Sequence, residues 1–194
     1  MDKGLTGGQL CELVEMPFQR FESLRRRARQ AFQLTPPPFK AVDETQIGIA
    51  LLVDDLGGGS AWPRYHPLDA IRLKLALELE AAGLEFGPAA KIVSNSLRVE
   101  SPEIAGDRWV GVLVWTDDTG IRGRDHICGT SAEVLAAIAT WDLKARQAEW
   151  GGNPRMRAAI IVNVEATVDR LVARVAELDL PWQLSRQDIQ GLTP

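Results

Sequence analysis

The run Leu5-Thr6-Gly7-Gly8-Gln9-Leu10-Cys11-Glu12-Leu13-Val14-Glu15-Met16-Pro17-Phe18-Gln19-Arg20-Phe21-Glu22-Ser23-Leu24-Arg25-Arg26-Arg27-Ala28-Arg29 decides how this chain is read. Thr6 is a candidate N-cap, and Leu10, Leu13 and Val14 recur behind it at helical spacing. That spacing predicts a short helix ending near Glu15-Met16-Pro17. Pro17 suits the first turn of a second helix, where its missing N–H costs nothing, and Phe18, Phe21 and Leu24 mark one buried face. Gln19, Arg20 and Ser23 then point away from that face. Two helices separated by about three residues, the second basic on its outer side, have helix-turn-helix spacing.

The charge distribution sharpens this reading. The 194 residues carry a net charge of -4, which taken alone argues against a polyanionic partner. A binding face, however, needs only local positive potential. Residues 1–40 hold seven Lys/Arg against four Asp/Glu, residues 41–100 hold five against nine, and residues 101–194 hold ten against thirteen. The positive excess is therefore N-terminal, and most of it is the run Arg20, Arg25, Arg26, Arg27 and Arg29, opposed within the run only by Glu22. A solvated helix face is the plainer reading of such a run.

Outward from this segment, Pro36-Pro37-Pro38 breaks the helical pattern, and the short apolar run Thr45–Val53 predicts a strand. Residues 54–60 then form a glycine-rich tip and Ala61-Trp62-Pro63-Arg64-Tyr65 the return, a β-hairpin or wing. Gly57–Gly59 lack the GxxxxGK[ST] spacing that a phosphate cradle requires. His66-Pro67-Leu68-Asp69 predicts the start of a well-buried helix running to Gly83, and Phe86–Val93 a further short helix before Asn95.

In that order, four stretches resemble the MerR-like winged-helix domain over about residues 5–95. They are Leu5–Leu13, Arg25-Arg26-Arg27, Arg64-Tyr65 followed by Leu68-Asp69-Ala70-Ile71-Arg72-Leu73, and Glu80–Val93. The segment before Arg64 is longer than the family's usual wing, and Ala28 stands where a glycine commonly follows the arginines. The resemblance implies a homodimer on double-stranded DNA, with the second helix in the major groove and the wing on the backbone.

Base reading and phosphate neutralisation call on different side chains. Gln19, Arg20 and Ser23 are the candidates for base edges, since Arg forks to guanine and Gln to adenine. Arg26, Arg27 and Arg29, with Arg25 in the same run, are candidate phosphate contacts. Arg64 reaches the backbone or minor groove from the wing. The Tyr65 hydroxyl is a phosphate donor or its ring a core element, Trp62 is a wing aromatic touching sugar or, as is commoner near a hairpin, a cover for the core, and Lys40 adds charge only.

Beyond about residue 102 the pattern changes. Trp109–Trp115 reads as a strand, Ser131–Asp142 as a helix, Met156–Val164 as a strand and Glu165–Leu178 as a helix, an order that favours a small α/β unit. The expected architecture is thus α+β, with a winged helix-turn-helix domain over residues 1–97 and an α/β dimerisation or effector domain over residues 103–194. That second unit is the expected place for any small-molecule or protein effector. Its last helix aligns Val168, Leu171, Val172, Val175 and Leu178 for core packing or a second chain.

Other function classes find little footing. The chain has no apolar run of membrane-spanning length, and MDKGLTGGQL lacks a signal-peptide core, so a cytoplasmic location without membrane partners is expected. Cys11 and Cys128 have no metal-ligand or disulfide spacing, and no cofactor or metal is expected. Asp125, His126 and Cys128 are the one compact set of catalytic residue types, but neighbours in sequence rarely face each other and Gly129 suggests a loop. A non-enzymatic transcription regulator is the first expectation. The alternatives are an architectural or phage-type recombination accessory protein, and a small cytosolic ligand-binding protein or enzyme using the C-terminal unit.

Overall fold

A computed structural model describes residues 4–34, 47–53, 64–97, 107–120, 122–147 and 154–180. Helix α1 (Gly7–Val14) opens as the sequence predicts. The Gln9 N–H donates to Thr6 Oγ1 at 3.2 Å, and the Thr6 N–H donates to Gln9 Oε1 at 3.0 Å, satisfying two donors that a helix start otherwise leaves open. Glu15 closes it in the left-handed region at φ 61°, with the Met16 N–H returned to the Cys11 carbonyl at 2.9 Å. Helix α2 (Phe18–Leu34) follows, its first turn anchored on the Pro17 carbonyl, which accepts from the Arg20 and Phe21 N–H groups.

Residues 48–51 form a short 3-10 helix rather than the expected strand. Gly48, Ile49, Leu52 and Val53 are the buried residues of this stretch, two adjacent pairs one turn apart, which fits a helical turn and not strand alternation. The remainder of the expected hairpin, residues 54–63 with Trp62 and the three glycines, lies outside the described residues, as do Thr45 and Lys40. What is described of the return is one antiparallel bridge, in which Leu5 and Tyr65 exchange both backbone hydrogen bonds at 3.0 and 2.9 Å.

Helices α3 (Pro67–Ala81) and α4 (Phe86–Ser96) form where predicted, α4 running three residues past its expected end at Val93 and through Asn95. The Asp69 carboxylate accepts from the His66 N–H at 2.7 Å at the start of α3. At its end Gly83, at φ 108°, lets the Leu84 N–H reach back to the Leu79 carbonyl. Buried Arg72 sends Nε and Nη2 to the Leu97 carbonyl at 3.2 and 2.9 Å, placing a cation at the C-terminal, negative end of α4.

The second half is α+β, but its strand order corrects the sequence reading. Between β1 (Trp109–Thr116) and α5 (Ser131–Gln147) lies a strand not foreseen, β2 (Arg122–Gly129), followed by β3 (Arg155–Asn163) and α6 (Val164–Glu177). The sheet order is β2-β1-β3 with both pairings antiparallel, so the unit is a hairpin plus a returning strand and not an alternating α/β repeat. Leu113 and Ile127 on one face pack with Val134 and Trp141 of α5.

On the other face, Val110 and Val112 join Val164, Val168, Leu171 and Val175 in the same buried cluster as Leu10, Phe21, Ile71 and Ile92. Residues on both sides of position 100 thus share one core. The apolar face of α6 is buried inside it, with Val172 packed against its margin. No described helix is long and apolar enough to cross a membrane.

Candidate nucleic-acid interface

Helix α2 presents the candidate surface, and its orientation is set from beneath. Phe21, Leu24, Ala28 and Ala31 are buried, a three-and-four repeat that turns one stripe of the helix into the core. Arg25 belongs to that underside. It is only 6% exposed, and its guanidinium lies over the rings of Phe21 (5.6 Å) and Tyr65 (5.8 Å) while Nη1 donates to Glu22 at 2.8 Å. Tyr65 is fully buried and meets Phe21 edge to face. Arg25, expected at a DNA surface, is instead an interior residue, and Tyr65 takes the core place that was one of its two expected roles; together they brace α2 against the residues that lead into α3.

On the opposite side, Gln19, Arg26 and Gln30 are exposed and Ser23 is half-buried. Their spacing of four, three and four residues aligns them in one stripe along a helix about 25 Å long. Arg27 flanks the stripe on one side and Arg29 on the other, both exposed. Among the described residues Arg26, Arg27 and Arg29 have no carboxylate partner.

Arg20, at the N-terminal end, is engaged within the fold. Its Nη2 lies 2.5 Å from both oxygens of Glu80, and its guanidinium stands 5.8 Å from the Phe86 ring centroid. Arg64 is exposed and holds the Gly4 carbonyl at 3.2 Å, beside the Leu5–Tyr65 bridge. Phe18 is 51% exposed rather than buried, because it falls about 60° of helix rotation away from Phe21, at the margin of the underside.

Sequence reading missed Glu80, whose pairing with Arg20 spans sixty residues and left no local signal. It also missed Gln30, which a longer run of the same spacing would have reached.

The Asp125, His126 and Cys128 set does not assemble. On β2 His126 and Cys128 fall on the exposed face, while Asp125 turns to the other side and accepts from Trp141 Nε1 at 2.6 Å. Burial pushes the Cys11 thiol up to about 12, so it is a packing group. Among the described residues no group of His, Cys, Asp and Glu is placed to hold a metal.

No family model, curated protein or solved structure matches the chain.

Proposed function

We propose that this protein is a sequence-specific DNA-binding regulator that inserts α2 into the major groove of a duplex, with residues 5–95 acting as a MerR-like winged helix-turn-helix unit. The observation that carries the reading is the cationic surface of α2. Arg26, Arg27 and Arg29 are exposed without carboxylate partners among the described residues, on a helix whose underside is fixed by Phe21, Leu24 and Arg25. The arginines neutralise phosphates, and Gln19 and Ser23 are the side chains of the stripe that face base edges. Arg20 adds to base reading only when its pair with Glu80 opens, and Arg64 reaches the backbone from beside the bridge. A homodimer on a two-fold site is the expected assembly.

The experiment is selection of bound duplexes from a random pool, followed by titration of the enriched site with the Arg26→Gln/Arg27→Gln/Arg29→Gln protein over a salt series. Loss of three phosphate contacts per subunit lowers the slope of log affinity against log salt by about 2 to 3. An unchanged slope and affinity would remove α2 from the interface.

A further inference from the structure

The end of the sheet where β1 finishes and β2 and β3 begin carries a second arginine cluster that the reading of α2 does not use. On β2 Arg122 and Arg124 are exposed at alternate positions, on the same face as His126. The β1 register places Thr116 between Arg122 and Arg155, and Val114 between Arg124 and Ala158. These pairings put Arg122, Arg124 and Arg155 on one face of the sheet. The register shift between Val114 and Trp115 leaves Arg157 as the extra residue of a β3 bulge beside them, and Arg155 and Arg157 are both exposed. None of the four has an ion pair or hydrogen bond among the described residues.

Among the described residues, Asp117 and Asp118 adjoin this cluster, and other acids near the sheet stand away from it. Asp125 occupies the opposite face, held by Trp141. Asp107, Glu133 and Glu165 sit at the other end of the sheet, near the start of β1 and the end of β3. Asp117 and Asp118 stand in the adjoining turn, where the Asp117 carboxylate accepts from the Thr119 N–H and hydroxyl at 3.0 and 2.7 Å. Four like charges gathered at one end of a chain of net charge -4 repel one another, a cost that a bound polyanion removes. Across three strands the cluster spans about 10 Å, a length over which a duplex presents about six phosphate charges.

We infer that this sheet end is a second phosphate-backbone site for duplex DNA, formed by Arg122, Arg124, Arg155 and Arg157. The inference rests on the DNA-binding reading of α2 but uses none of its residues. The site carries no base-reading geometry, so it supplies affinity and salt dependence without sequence preference.

The test is fluorescence anisotropy of the selected duplex over a salt series with the full chain, comparing four proteins. These are wild type, the α2 triple variant above, Arg122→Gln/Arg124→Gln/Arg155→Gln, and the same three positions changed to Lys. The expected result is a salt slope lower by about 2 to 3 per bound subunit in the sheet Gln protein, an unchanged ranking of duplex sequences, and a near wild-type slope in the Lys protein. A sheet Gln protein that binds as wild type while the α2 variant fails would overturn this site and leave α2 standing. A sheet variant that fails while the α2 variant binds normally would do the reverse. Loss in the Lys protein as large as in the Gln protein would show that shape and not charge was removed, and would also overturn the inference. A wild-type chain that binds no duplex overturns both readings.

Discussion

Arg20 of the second helix and Glu80 at the end of the third are joined by Nη2 at 2.5 Å from both carboxylate oxygens, with the ring of Phe86 beneath the guanidinium. The pair is partly solvated, with 41% of the Arg20 side chain exposed, so it contributes at most about 1 kcal/mol to stability. Its larger effect falls on the surface of α2, where Glu80 cancels one cation. Glu80→Gln is expected to lower the melting temperature only slightly while raising duplex affinity several-fold at low salt. Anisotropy beside a thermal melt checks both, and unchanged affinity would show that Arg20 lies outside the contact.

Arg25 separates from its neighbours by what it touches. Arg25→Ala strips the cation from two aromatic rings and leaves a void beneath α2, an expected loss of about 2 to 4 kcal/mol. Arg26→Ala or Arg27→Ala, exposed on the same helix, is expected to stay within about 0.5 kcal/mol of wild type. Urea denaturation of the three proteins decides the matter. Equal effects would place Arg25 on the surface.

Two helix ends make the same demand on the backbone, a positive φ, and meet it with different residue types. Gly83 sits at φ 108° with nothing within 4 Å of the place a Cβ would occupy, so Gly83→Ala costs only backbone strain, about 1 to 2 kcal/mol. Asp179 closes α6 at φ 47°, with the Leu180 N–H bonded to the Val175 carbonyl, and Asp179→Gly is expected to gain about 0.5 to 1 kcal/mol. Shifts of the same sign in the two denaturation midpoints would refute the assignment of these turns.

Asp107 ties the start of β1 to α5. Its carboxylate accepts from the Ser131 hydroxyl and N–H and from Trp109 Nε1, and the Ser131 hydroxyl bond, with the others, holds it below the usual carboxylate range. A carboxyl depressed in the folded state stabilises fully above its unfolded value, near pH 4, and loses that contribution as pH falls through the lower folded value. Asp107→Asn should therefore unfold at lower urea than wild type at pH 7, and the gap should narrow as the solution is taken below about pH 4. A gap independent of pH would mean that the carboxylate charge is not what these donors hold.

How much of this could be read in advance depended on whether the deciding interactions were local. Thr6 with Gln9, Pro17, and Gly83 act within four residues of where they stand, and the helices they delimit were legible. The underside of α2 was only partly so, because helical spacing marks a stripe but not its edge, and Phe18 lies at that edge. Strand β2 was hidden by its own composition. As an edge strand with one exposed face it reads Arg-Gly-Arg-Asp-His-Ile-Cys-Gly, with Gly123 lying under the Trp115 indole and no run of β-branched residues. For the candidate interface, the arginines of α2 were visible as a run. Which of them stays in water depended on Tyr65 and Glu80, residues about forty to sixty positions away that no local pattern announces.

The shared core has a bearing on how the chain matures. Leu10 and Leu13 of α1 are buried in one cluster with Val168 and Leu171 of α6, residues that leave the ribosome more than 150 positions later. Until those residues are made the N-terminal helix pair therefore waits with part of its oily surface uncovered, and full competence arrives only once α6 has emerged. A nascent chain halted after the fourth helix would be a client for chaperones.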